Sequence, residues 1–271
     1  MEQLNSKYEL LLDYIRSLES VAVGFSGGVD STFLLKAATD AVGKRAFAVI
    51  GKLASFQRTE YESAVRFCAE NGIRYTTLDI NELENEEFCK NPPDRCYICK
   101  KNIFSRIKSC AESQGCIHVI EGTNADDISD YRPGMKALSE LGIKGPLREI
   151  GFTKKEIRIL SQEFGLPTWD KPSLACLSTR IPYGDRITEK KLRMAEDAEM
   201  YLRTLGLSQL RVRIHGDTAR IEVSPDEFMT VINDRINITE KLRQLGFSYV
   251  ALDLLGFRSG SLNETLQKNN K

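Results

Sequence analysis

The chain has 271 residues, of which 41% are hydrophobic and 28% are charged, as in an ordinary globular protein with a buried core. Basic and acidic residues number 38 each, so the formal net charge is zero. This balance argues against a protein whose main task is to grip a nucleic-acid backbone. The first 20 residues lack the apolar core of a signal peptide, and no apolar run approaches the ~20 residues that span a bilayer. We therefore expect a cytoplasmic protein without membrane or nucleic-acid partners.

The first 150 residues alternate between short apolar runs and helical patterns. Strands are predicted over 21–25, 45–51, 74–80 and 116–122, and helices over 3–19, 31–42, 59–70 and 100–113. The second of these helices is expected to be capped by Asp30 or Ser31. Short apolar strands that alternate with helices indicate a parallel sheet covered on both faces.

The pattern changes near residue 150. Thr153 and Glu156 form the signature of a capping box at the start of a helix predicted over 152–165. Residues 166–187 contain Pro, Ser and Gly without periodicity, and a loop of that length is usually functional.

A second unit is predicted to begin at residue 188. Its helices are expected over 188–205, 225–236 and 239–246, and its strands over 208–214, 218–223 and 247–254. The fold class is therefore α/β, with a parallel-sheet domain over 1–187 and a small α+β domain over 188–271 that binds substrate or forms oligomers.

The sequence SGGVDS lies between the first strand and the second helix. Gly27 and Gly28 allow a tight turn that exposes backbone N–H groups, and the start of a helix adds partial positive charge. The hydroxyl groups of Ser26 and Ser31 can donate to phosphate oxygens. Asp30 would repel phosphate unless a Mg²⁺ ion lay between them, so the loop predicts a site for phosphates and Mg²⁺. The alternative is a strand–helix turn without a ligand.

The loop lacks the lysine of a Walker A sequence, which argues against a P-loop NTPase. It resembles instead the signature of the PP-loop family, which includes GMP synthetase, asparagine synthetase, NAD synthetase and several thiolation enzymes. The sequence EGTNADD resembles that family's second nucleotide motif and places Gly122, Thr123 and Asn124 at the carboxyl edge of the sheet. The resemblance implies a Rossmann-like PP-loop fold that cleaves ATP between the α- and β-phosphates, with Asp30 in a catalytic role.

Three cysteines stand out by their positions. Cys96 and Cys99 form a Cys-x-x-Cys sequence, and Cys176 lies in the long loop. A redox dithiol would need a thioredoxin-like setting, and structural zinc would need a fourth ligand. A 4Fe-4S cluster on three thiolates would leave one iron open to bind sulfide. An unliganded helix start is the remaining alternative. The other cysteines, three of them predicted as buried apolar residues and the last ambiguous, are Cys68, Cys110, Cys116 and Cys89.

Four further segments carry a more specific resemblance. They are RCYICK (95–100), PSLACLSTRIPYG (172–184), RVRIHGDTARIEV (211–223) and DLLGFRSGSLNE (253–264). Together they resemble the LarE family, ATP-dependent sulfurtransferases that build the nickel-pincer nucleotide cofactor of lactate racemase. The resemblance implies that a carboxylate of a pyridinium dicarboxylate mononucleotide is adenylylated and then attacked by sulfur, which gives a thiocarboxylate and AMP.

The LarE family has two versions, which differ in the source of sulfur. In one, the cysteine of the Ala-Cys-Leu sequence gives up its own sulfur and becomes dehydroalanine. In the other, that cysteine and a Cys-x-x-Cys hold a 4Fe-4S cluster that supplies sulfide. Cys96, Cys99 and Cys176 fill the positions of the cluster version. The resemblance therefore implies a catalytic Cys176, a 4Fe-4S cluster and an external sulfide donor.

Guanidinium groups are the expected clamps for a substrate that carries a phosphate and carboxylates. Arg180 lies in the long loop, while Arg211 and Arg213 alternate along one predicted strand and so project from one face. Arg258 completes the predicted substrate cluster. Glu222, on the adjoining strand, is expected to bind a metal or to pair with these arginines. The alternative for the strand is a solvated face.

Two other functions stay open. A tRNA-thiolation enzyme of the PP-loop family would share the glycine loop and, in one branch, three cysteines. The neutral charge and the lack of a recognisable tRNA-binding appendage argue against it. A non-catalytic adenine-nucleotide-binding module is disfavoured by the intact Asp30 and by the Cys176 loop. A homo-oligomer is also predicted.

Overall fold

The computed structural model describes residues 2–129, 133–172, 175–258 and 260–263. Compactness divides the chain into two units, Met1–Glu82 with Asp94–Leu174 and Leu83–Pro93 with Ala175–Lys271. This grouping differs from the division predicted at residue 187, because the segments 83–93 and 175–187 belong to the second unit. No helix in the described ranges is both long and apolar enough to cross a bilayer.

The helices and strands of both units are numbered in chain order. The helices are α1 (Glu2–Arg16), α2 (Val29–Val42), α3 (Arg58–Glu70), α4 (Glu86–Cys89), α5 (Arg95–Ser113), α6 (Pro133–Glu140), α7 (Pro146–Ile150), α8 (Lys154–Glu163), α9 (Glu189–Thr204), α10 (Phe228–Asn233) and α11 (Arg235–Gln244). The strands are β1 (Val21–Gly24), β2 (Ala46–Lys52), β3 (Tyr75–Asp79), β4 (Val119–Ile120), β5 (Leu210–His215), β6 (Thr218–Val223) and β7 (Tyr249–Leu252). Short 3-10 turns cover Gly43–Arg45, Glu82–Glu84, Ala125–Ser129, Leu177–Arg180, Pro225–Glu227 and Ser261–Asn263.

The first unit is built on a parallel sheet of order β3-β2-β1-β4. Successive residues of a strand point to opposite faces, so each central strand contributes to two cores. Val21 and Val23 pack in one core with residues of α1, α2 and α8, whereas Ala22 packs in another with residues of α5 and α6. The parallel sheet with helices on both faces confirms the predicted α/β class.

The strand order determines where this unit can bind a ligand. The chain moves outward from β1 to β2 and β3, and then returns to place β4 on the other side of β1. Ligands of such sheets bind beyond the carboxyl ends of the strands, where the order reverses. Gly24 ends β1 and Ile120 ends β4, so the segments that follow them are the candidates.

Of the two helix caps predicted in the first unit, the cap of α8 is present and the cap of α2 is not. The capping box of α8 is confirmed, because Thr153 Oγ1 accepts from the Glu156 N–H and the Glu156 carboxylate accepts from the Thr153 N–H. The predicted cap of α2 is wrong. Gly28 occupies the N-cap position without a side-chain bond, and Asp30 and Ser31 lie inside the first turn. The Ser31 hydroxyl donates instead to the Gly28 carbonyl, at 3.1 Å.

Helix α5 and strand β4 differ clearly from their predicted ranges. Helix α5 begins at Arg95 rather than at residue 100, because the Tyr97 and Ile98 N–H groups already bond to the Asp94 carbonyl. The Cys-x-x-Cys sequence therefore lies inside the helix instead of preceding it. Strand β4 has only two residues, whereas seven were predicted.

The second unit combines three strands with helices, as predicted for a small α+β domain. Strand β6 pairs antiparallel with β5 and parallel with β7, and α9, α10 and α11 contribute to its apolar core. The helix predicted over 225–236 is interrupted. Asp234 leaves helical geometry at φ −98° and ψ 18°, so α10 ends before it and α11 begins after it.

The segment 83–93 joins the second unit through the loop that follows Cys176. Asn91 is buried at a positive φ of 55°, a conformation that asparagine tolerates better than most residues. Its side-chain amide donates to the carbonyls of Ile181 and Pro182, and its own carbonyl accepts from the Gly184 N–H. These bonds fix the carboxyl-terminal half of the loop.

Candidate functional site

The glycine loop forms a compact turn between β1 and α2. Gly27 has φ +71°, where a side chain would be strained, and an added Cβ would lie 3.1 Å from Ala64. The hydroxyl oxygens of Ser26 and Ser31 lie 3.0 Å apart. The turn therefore depends on glycine and keeps both serine hydroxyls at its centre.

The two predicted nucleotide motifs lie side by side at the carboxyl edge of the sheet. A Cβ on Gly122 would lie 3.0 Å from the backbone nitrogen of Ser31, so the segment after β4 touches the first turn of α2. Asn124 is buried, and its N–H donates to Asp127. The structure thus brings together the residues predicted from two separate sequence motifs.

Asp30 has two carboxylate oxygens in different surroundings. Oδ2 accepts from Lys154 Nζ at 2.6 Å, while Oδ1 is buried and has no hydrogen-bond partner among the described residues. Burial raises the pKa of the Asp30 carboxyl above its ordinary value, although the Lys154 charge opposes the rise. An anionic oxygen without a partner fits a site for Mg²⁺.

Two lysines that the sequence analysis missed contact this region. Lys154, the first residue of α8, pairs with Asp30, and Lys171 donates to the Gly27 carbonyl at 3.0 Å and to Glu60 at 2.8 Å. The capping box at the start of α8 predicted the position of Lys154 in a first helical turn but gave no sign of its partner. Lys171 lies in the long loop, where no pattern indicated a contact.

Glu121 and Thr123 form a buried pair within the second motif. The Thr123 N–H and hydroxyl both donate to Glu121, at 3.1 and 2.5 Å. Burial raises the pKa of the Glu121 carboxyl, and the Lys100 charge opposes that rise. Thr123, predicted to contact the nucleotide, therefore directs its hydroxyl to Glu121 in this structure.

An apolar pocket adjoins Ser26 at the ends of β1 and β2. Its lining includes Phe25, Val49, Leu53, Phe56, Ile103 and Phe104. A largely apolar cleft bordered by a few polar groups is the usual environment of a planar heterocycle. The first unit thus places an apolar pocket next to a phosphate-type loop.

Cys176 lies in the second unit, immediately before the 3-10 turn Leu177–Arg180. Its thiol is free and half-buried. Its carbonyl accepts from the Thr179 N–H at 3.0 Å, from the Thr179 hydroxyl at 2.7 Å and from Arg180 at 3.1 Å. Three donors on one carbonyl fix the backbone at the cysteine.

Arg180 is completely buried, and its described donors point to protein acceptors. Nε and Nη2 donate to the two oxygens of Glu199, each at 2.8 Å, while Nη1 donates to the Ala175 and Cys176 carbonyls. Glu199 also accepts from the backbone N–H of Val212. The structure places this predicted substrate residue beneath the Cys176 loop.

Arg211 and Arg213 point to the same face of β5, as predicted. They are only 8% and 6% exposed, which excludes the alternative of a solvated strand face. The Arg211 guanidinium lies 5.1 Å from the centre of the Phe257 ring. Burial lowers the pKa of Arg211 to about 10, and the Arg180 charge adds to that effect. Positive charge is thus concentrated in a poorly hydrated place.

Arg213 links the strand to its surroundings. It donates to both oxygens of the buried Glu222, to the Ser261 hydroxyl at 2.8 Å and to the Thr179 carbonyl at 2.6 Å. Glu222 also accepts from Arg220 at 2.8 Å. Of the two roles predicted for Glu222, pairing with arginines is the one that the described contacts favour.

Arg258 lies farther along the second unit. Its guanidinium is 3.8 Å from Asp253, which is itself 3.6 Å from Arg220. Asp253 therefore connects Arg258 to the arginine that contacts Glu222, so the predicted substrate arginines after the loop belong to one charged region of the unit.

The other six cysteines differ in their exposure to solvent. Cys96 is exposed and Cys99 partly exposed, and they lie one turn apart in α5. Cys110 is partly buried, whereas the fully buried cysteines are Cys68, Cys89 and Cys116. Burial raises the pKa of the Cys68 thiol to about 12, so it stays a neutral apolar residue. In the described part of the chain, no three Cys, His, Asp or Glu side chains converge as metal ligands.

Comparison with known proteins places these features in a family. Residues 4–124 match the NAD synthase family. The chain is 41% identical to pyridinium-3,5-bisthiocarboxylic acid mononucleotide synthase of Lactiplantibacillus plantarum, over 99% of this chain and 98% of that protein. An uncharacterised protein of Synechocystis sp. is 40% identical over 98% of this chain and the whole of its own length. The glutamine-hydrolysing GMP synthase of Aeropyrum pernix is 26% identical over 66% of this chain and 38% of that enzyme.

The matches to known proteins differ in how many of the sequence motifs they include. The match to the NAD synthase family contains the glycine loop and ends within the second nucleotide motif, at residue 124, and the match to the GMP synthase covers only 66% of the chain. The similarity to the mononucleotide synthase extends through the Cys176 loop and the arginine strand to the end of the chain. The resemblance predicted from the motifs is confirmed, and the chain belongs to the LarE family of pyridinium-3,5-bisthiocarboxylic acid mononucleotide synthases, within the wider PP-loop group.

Proposed function

We propose that this chain is an ATP-dependent sulfurtransferase that converts a carboxylate of a pyridinium dicarboxylate mononucleotide into a thiocarboxylate. In this proposal AMP is transferred from ATP to the carboxylate, pyrophosphate leaves, and sulfur then displaces AMP. The name of the L. plantarum relative, which is 41% identical over nearly the whole chain, supports this substrate class. The product is a precursor of the nickel-pincer nucleotide cofactor of lactate racemase.

The observation that carries the proposal is the connection between the Cys176 loop and the arginine strand. Arg213 donates to the carbonyl of Thr179, three residues after Cys176, at 2.6 Å. A free thiol and buried guanidinium groups therefore share one unit. This combination suits the transfer of sulfur to an anionic substrate, because arginine forks match phosphate and carboxylate oxygens. A simple nucleotide-binding module would have no use for it.

The first unit supplies the activation step. A carboxylate resists attack because its oxygen is a poor leaving group, and AMP makes that oxygen a good one. Backbone N–H groups of the glycine loop and the start of α2 favour the phosphates. The unpartnered Oδ1 of Asp30 is suited to hold Mg²⁺, which when bound neutralises phosphate charge. The apolar pocket beside Ser26 is assigned to adenine.

The second unit supplies the substrate anchor and a thiol. Arg211 and Arg213 are assigned to the substrate phosphate and carboxylates, with Arg258 at the edge of the same region. Displacement of AMP breaks the bond from the carbonyl carbon to the bridging oxygen and forms a carbon–sulfur bond. A sulfur nucleophile is effective near neutral pH because the pKa of a thiol lies far closer to 7 than that of an alcohol.

The source of sulfur has two candidates. We propose that Cys96, Cys99 and Cys176 hold a 4Fe-4S cluster, which when bound would supply sulfide from the iron that lacks a thiolate ligand. The two thiols of Cys96 and Cys99, which lie one turn apart on α5 and form no disulfide, support this assignment. The alternative is that Cys176 gives up its own sulfur and becomes dehydroalanine.

Further partners follow from the cluster version. It requires an external sulfide donor to restore the sulfur after each turnover. We place the reaction in the cytoplasm, where thiols remain reduced. The homo-oligomer stays a prediction.

The proposed function is tested with a substrate whose carboxylates carry heavy oxygen. If the carboxylate is adenylylated and then displaced by sulfur, one heavy oxygen must appear in the phosphate of AMP, together with a thiocarboxylate. Formation of ADP, or AMP without heavy oxygen, would contradict the proposal. Stimulation of ATP cleavage by tRNA but not by the mononucleotide would instead support the tRNA-thiolation alternative.

A further inference from the structure

We infer that the buried pair of Arg180 and Glu199 is a positioning device that fixes the backbone of Cys176 relative to the arginine strand. In this account Arg180 does not touch the substrate. The inference rests on the proposed function, because it assumes that Cys176 takes part in sulfur transfer. It assigns to Arg180 a role different from that of the neighbouring arginines.

Arg180 is shielded from any ligand by its burial. Its side chain is 0% exposed, and that of Glu199 is 1% exposed. Arg180 directs Nε, Nη1 and Nη2 to oxygens of the protein and leaves no surface for a ligand to reach, whereas Arg211 and Arg213 remain 8% and 6% exposed. A buried charge pair that lost either member would leave an uncompensated charge, so each member requires the other.

Arg180 also fixes the backbone on both sides of the Cys176 thiol. Nη1 donates to the Ala175 carbonyl at 2.8 Å, to the Cys176 carbonyl at 3.1 Å and to the Thr179 hydroxyl at 2.9 Å. Thr179 itself donates twice to the Cys176 carbonyl. One guanidinium therefore closes the turn around the cysteine by bonds to its backbone and leaves the thiol free.

Glu199, the partner of Arg180, contacts the arginine strand. Glu199 lies on α9, and Oε1 accepts both from Arg180 Nε and from the Val212 N–H at 3.0 Å. Val212 stands between Arg211 and Arg213 on β5. The pair therefore connects the cysteine backbone to the strand that carries the proposed substrate anchors, through hydrogen bonds of fixed length.

This connection has a consequence for the reaction. The substrate phosphate and the reacting carboxylate are separated by a fixed molecular distance, so the sulfur and the anchors must be held at a matching distance. An error of about 1 Å in such positioning can lower a rate about 100-fold. Loss of the pair should therefore reduce the rate of sulfur transfer while the anchors still bind the substrate.

The test uses two variants and one matched control. Arg180→Met removes the guanidinium, and the double variant Arg180→Met/Glu199→Met removes both charges, so that no buried carboxylate is left unpaired. The control is Arg186→Met. Arg186 lies in the same long loop as Cys176 and forms a two-bond pair with Glu86, but both side chains are more than half exposed. It therefore matches the chemistry without the burial or the contact to Cys176.

Two measurements are made on the full-length protein. Steady-state assays give kcat for thiocarboxylate, and isothermal titration gives the Kd of the mononucleotide. Alkylation of the iron-free protein gives the rate at Cys176, with Cys96 as an internal reference. We expect Arg180→Met and the double variant to lower kcat at least about tenfold, with the Kd changed less than about threefold. The relative alkylation rate of Cys176 should also change, and Arg186→Met should alter none of these quantities.

The contrary results are distinct. A rise of about tenfold in the Kd with unchanged kcat would identify Arg180 as a substrate clamp and overturn the inference. Unchanged kcat and unchanged alkylation in the folded double variant would overturn it too. Alkylation needs neither ATP nor substrate. A wild-type protein that fails to make thiocarboxylate would therefore refute the proposed function, while the alkylation result would still decide whether the pair positions Cys176.

Discussion

The two units accommodate negative charge by different means. In the first, the lysines near the glycine loop are held by protein oxygens, Lys154 by Asp30 and Lys171 by Glu60. In the second, the described residues include three buried arginines and three buried glutamates, which are Arg180, Arg211, Arg213, Glu196, Glu199 and Glu222. Under the proposed function, the first unit would therefore rely on backbone N–H groups and a bound cation, and the second on fixed guanidinium groups.

This difference between the units matches the two proposed ligands, ATP and the mononucleotide. ATP carries several charges, arrives with Mg²⁺ and leaves as two fragments, so a site completed by an exchangeable ion suits it. A mononucleotide that must be held while sulfur attacks is better served by arginines whose geometry is set before binding. The comparison predicts that variants of each unit should impair different steps of one reaction.

The largest expected effect separates sulfur transfer from activation. Cys176→Ala should reduce thiocarboxylate formation to background, because it removes a proposed cluster ligand and the alternative sulfur donor at once. The same variant should still release pyrophosphate from ATP in the presence of the mononucleotide. Cys68→Ala serves as the control, because the Cys68 thiol is buried in the apolar core of the first unit. If Cys176→Ala lost both pyrophosphate release and thiocarboxylate formation, activation and sulfur transfer would not be separate functions of the two units.

The next effect falls on the activation step. Asp30→Asn should lower the rate of adenylylation about 10²- to 10³-fold, because the proposed Mg²⁺ loses an anionic ligand beside the developing charge. Pyrophosphate exchange into ATP measures this step. Full activity of the variant would remove Asp30 from the metal site.

A smaller effect is expected in substrate binding. Arg211→Ala and Arg213→Ala should each lose about 1.5–3 kcal/mol of binding free energy for the mononucleotide, or one to two decades in Kd. The affinity for ATP should not change. Isothermal titration with each ligand measures both values. An equal loss for ATP would place these arginines outside the substrate site and contradict the proposed division between the units.

The smallest effect concerns stability. A carboxyl whose pKa is higher in the folded than in the unfolded state stabilises the fold at low pH, and this stability is lost as pH rises through the folded pKa. The raised pKa of Asp30 therefore predicts that Asp30→Asn at pH 7 keeps or slightly increases the free energy of unfolding, by less than about 1 kcal/mol. Denaturant melts without ATP measure it. A clear decrease in the free energy of unfolding would mean that the ion pair between Asp30 and Lys154 stabilises the fold more than the burial of the Asp30 charge destabilises it.

Much of the fold followed from local pattern. The strands of the parallel sheet are short apolar runs, and the start of α8 carries both members of its capping box, so their positions could be predicted within a few residues. The start of α5 could not, because Cys-Tyr-Ile-Cys-Lys-Lys carries no clear amphipathic period. The break at Asp234 was missed because a single non-helical residue leaves the apolar spacing on either side nearly continuous.

In the candidate site, too, local sequence features could be predicted, whereas contacts between residues distant in sequence could not. The glycine loop, the second motif and the paired arginines of β5 are local sequence features, and the structure places the first two together and buries the third. The partners of Lys154 and Lys171 lie more than 100 residues away in sequence, and only the tertiary fold brings them together. The Glu199 partner of Arg180 is likewise set by the packing of α9 against the loop. Contacts of this kind leave no trace in a single sequence.

The most direct test of the account is a turnover experiment with isotopically labelled sulfide. Iron-reconstituted protein is incubated without oxygen with Mg²⁺-ATP, the mononucleotide and the labelled sulfide, and AMP, thiocarboxylate and the intact protein mass are measured together. The account predicts one AMP for each thiocarboxylate, label in the product, several turnovers per chain and an unchanged protein mass. ADP as the nucleotide product, or a single unlabelled turnover with loss of hydrogen sulfide from Cys176, would contradict it, the first in its activation step and the second in its source of sulfur.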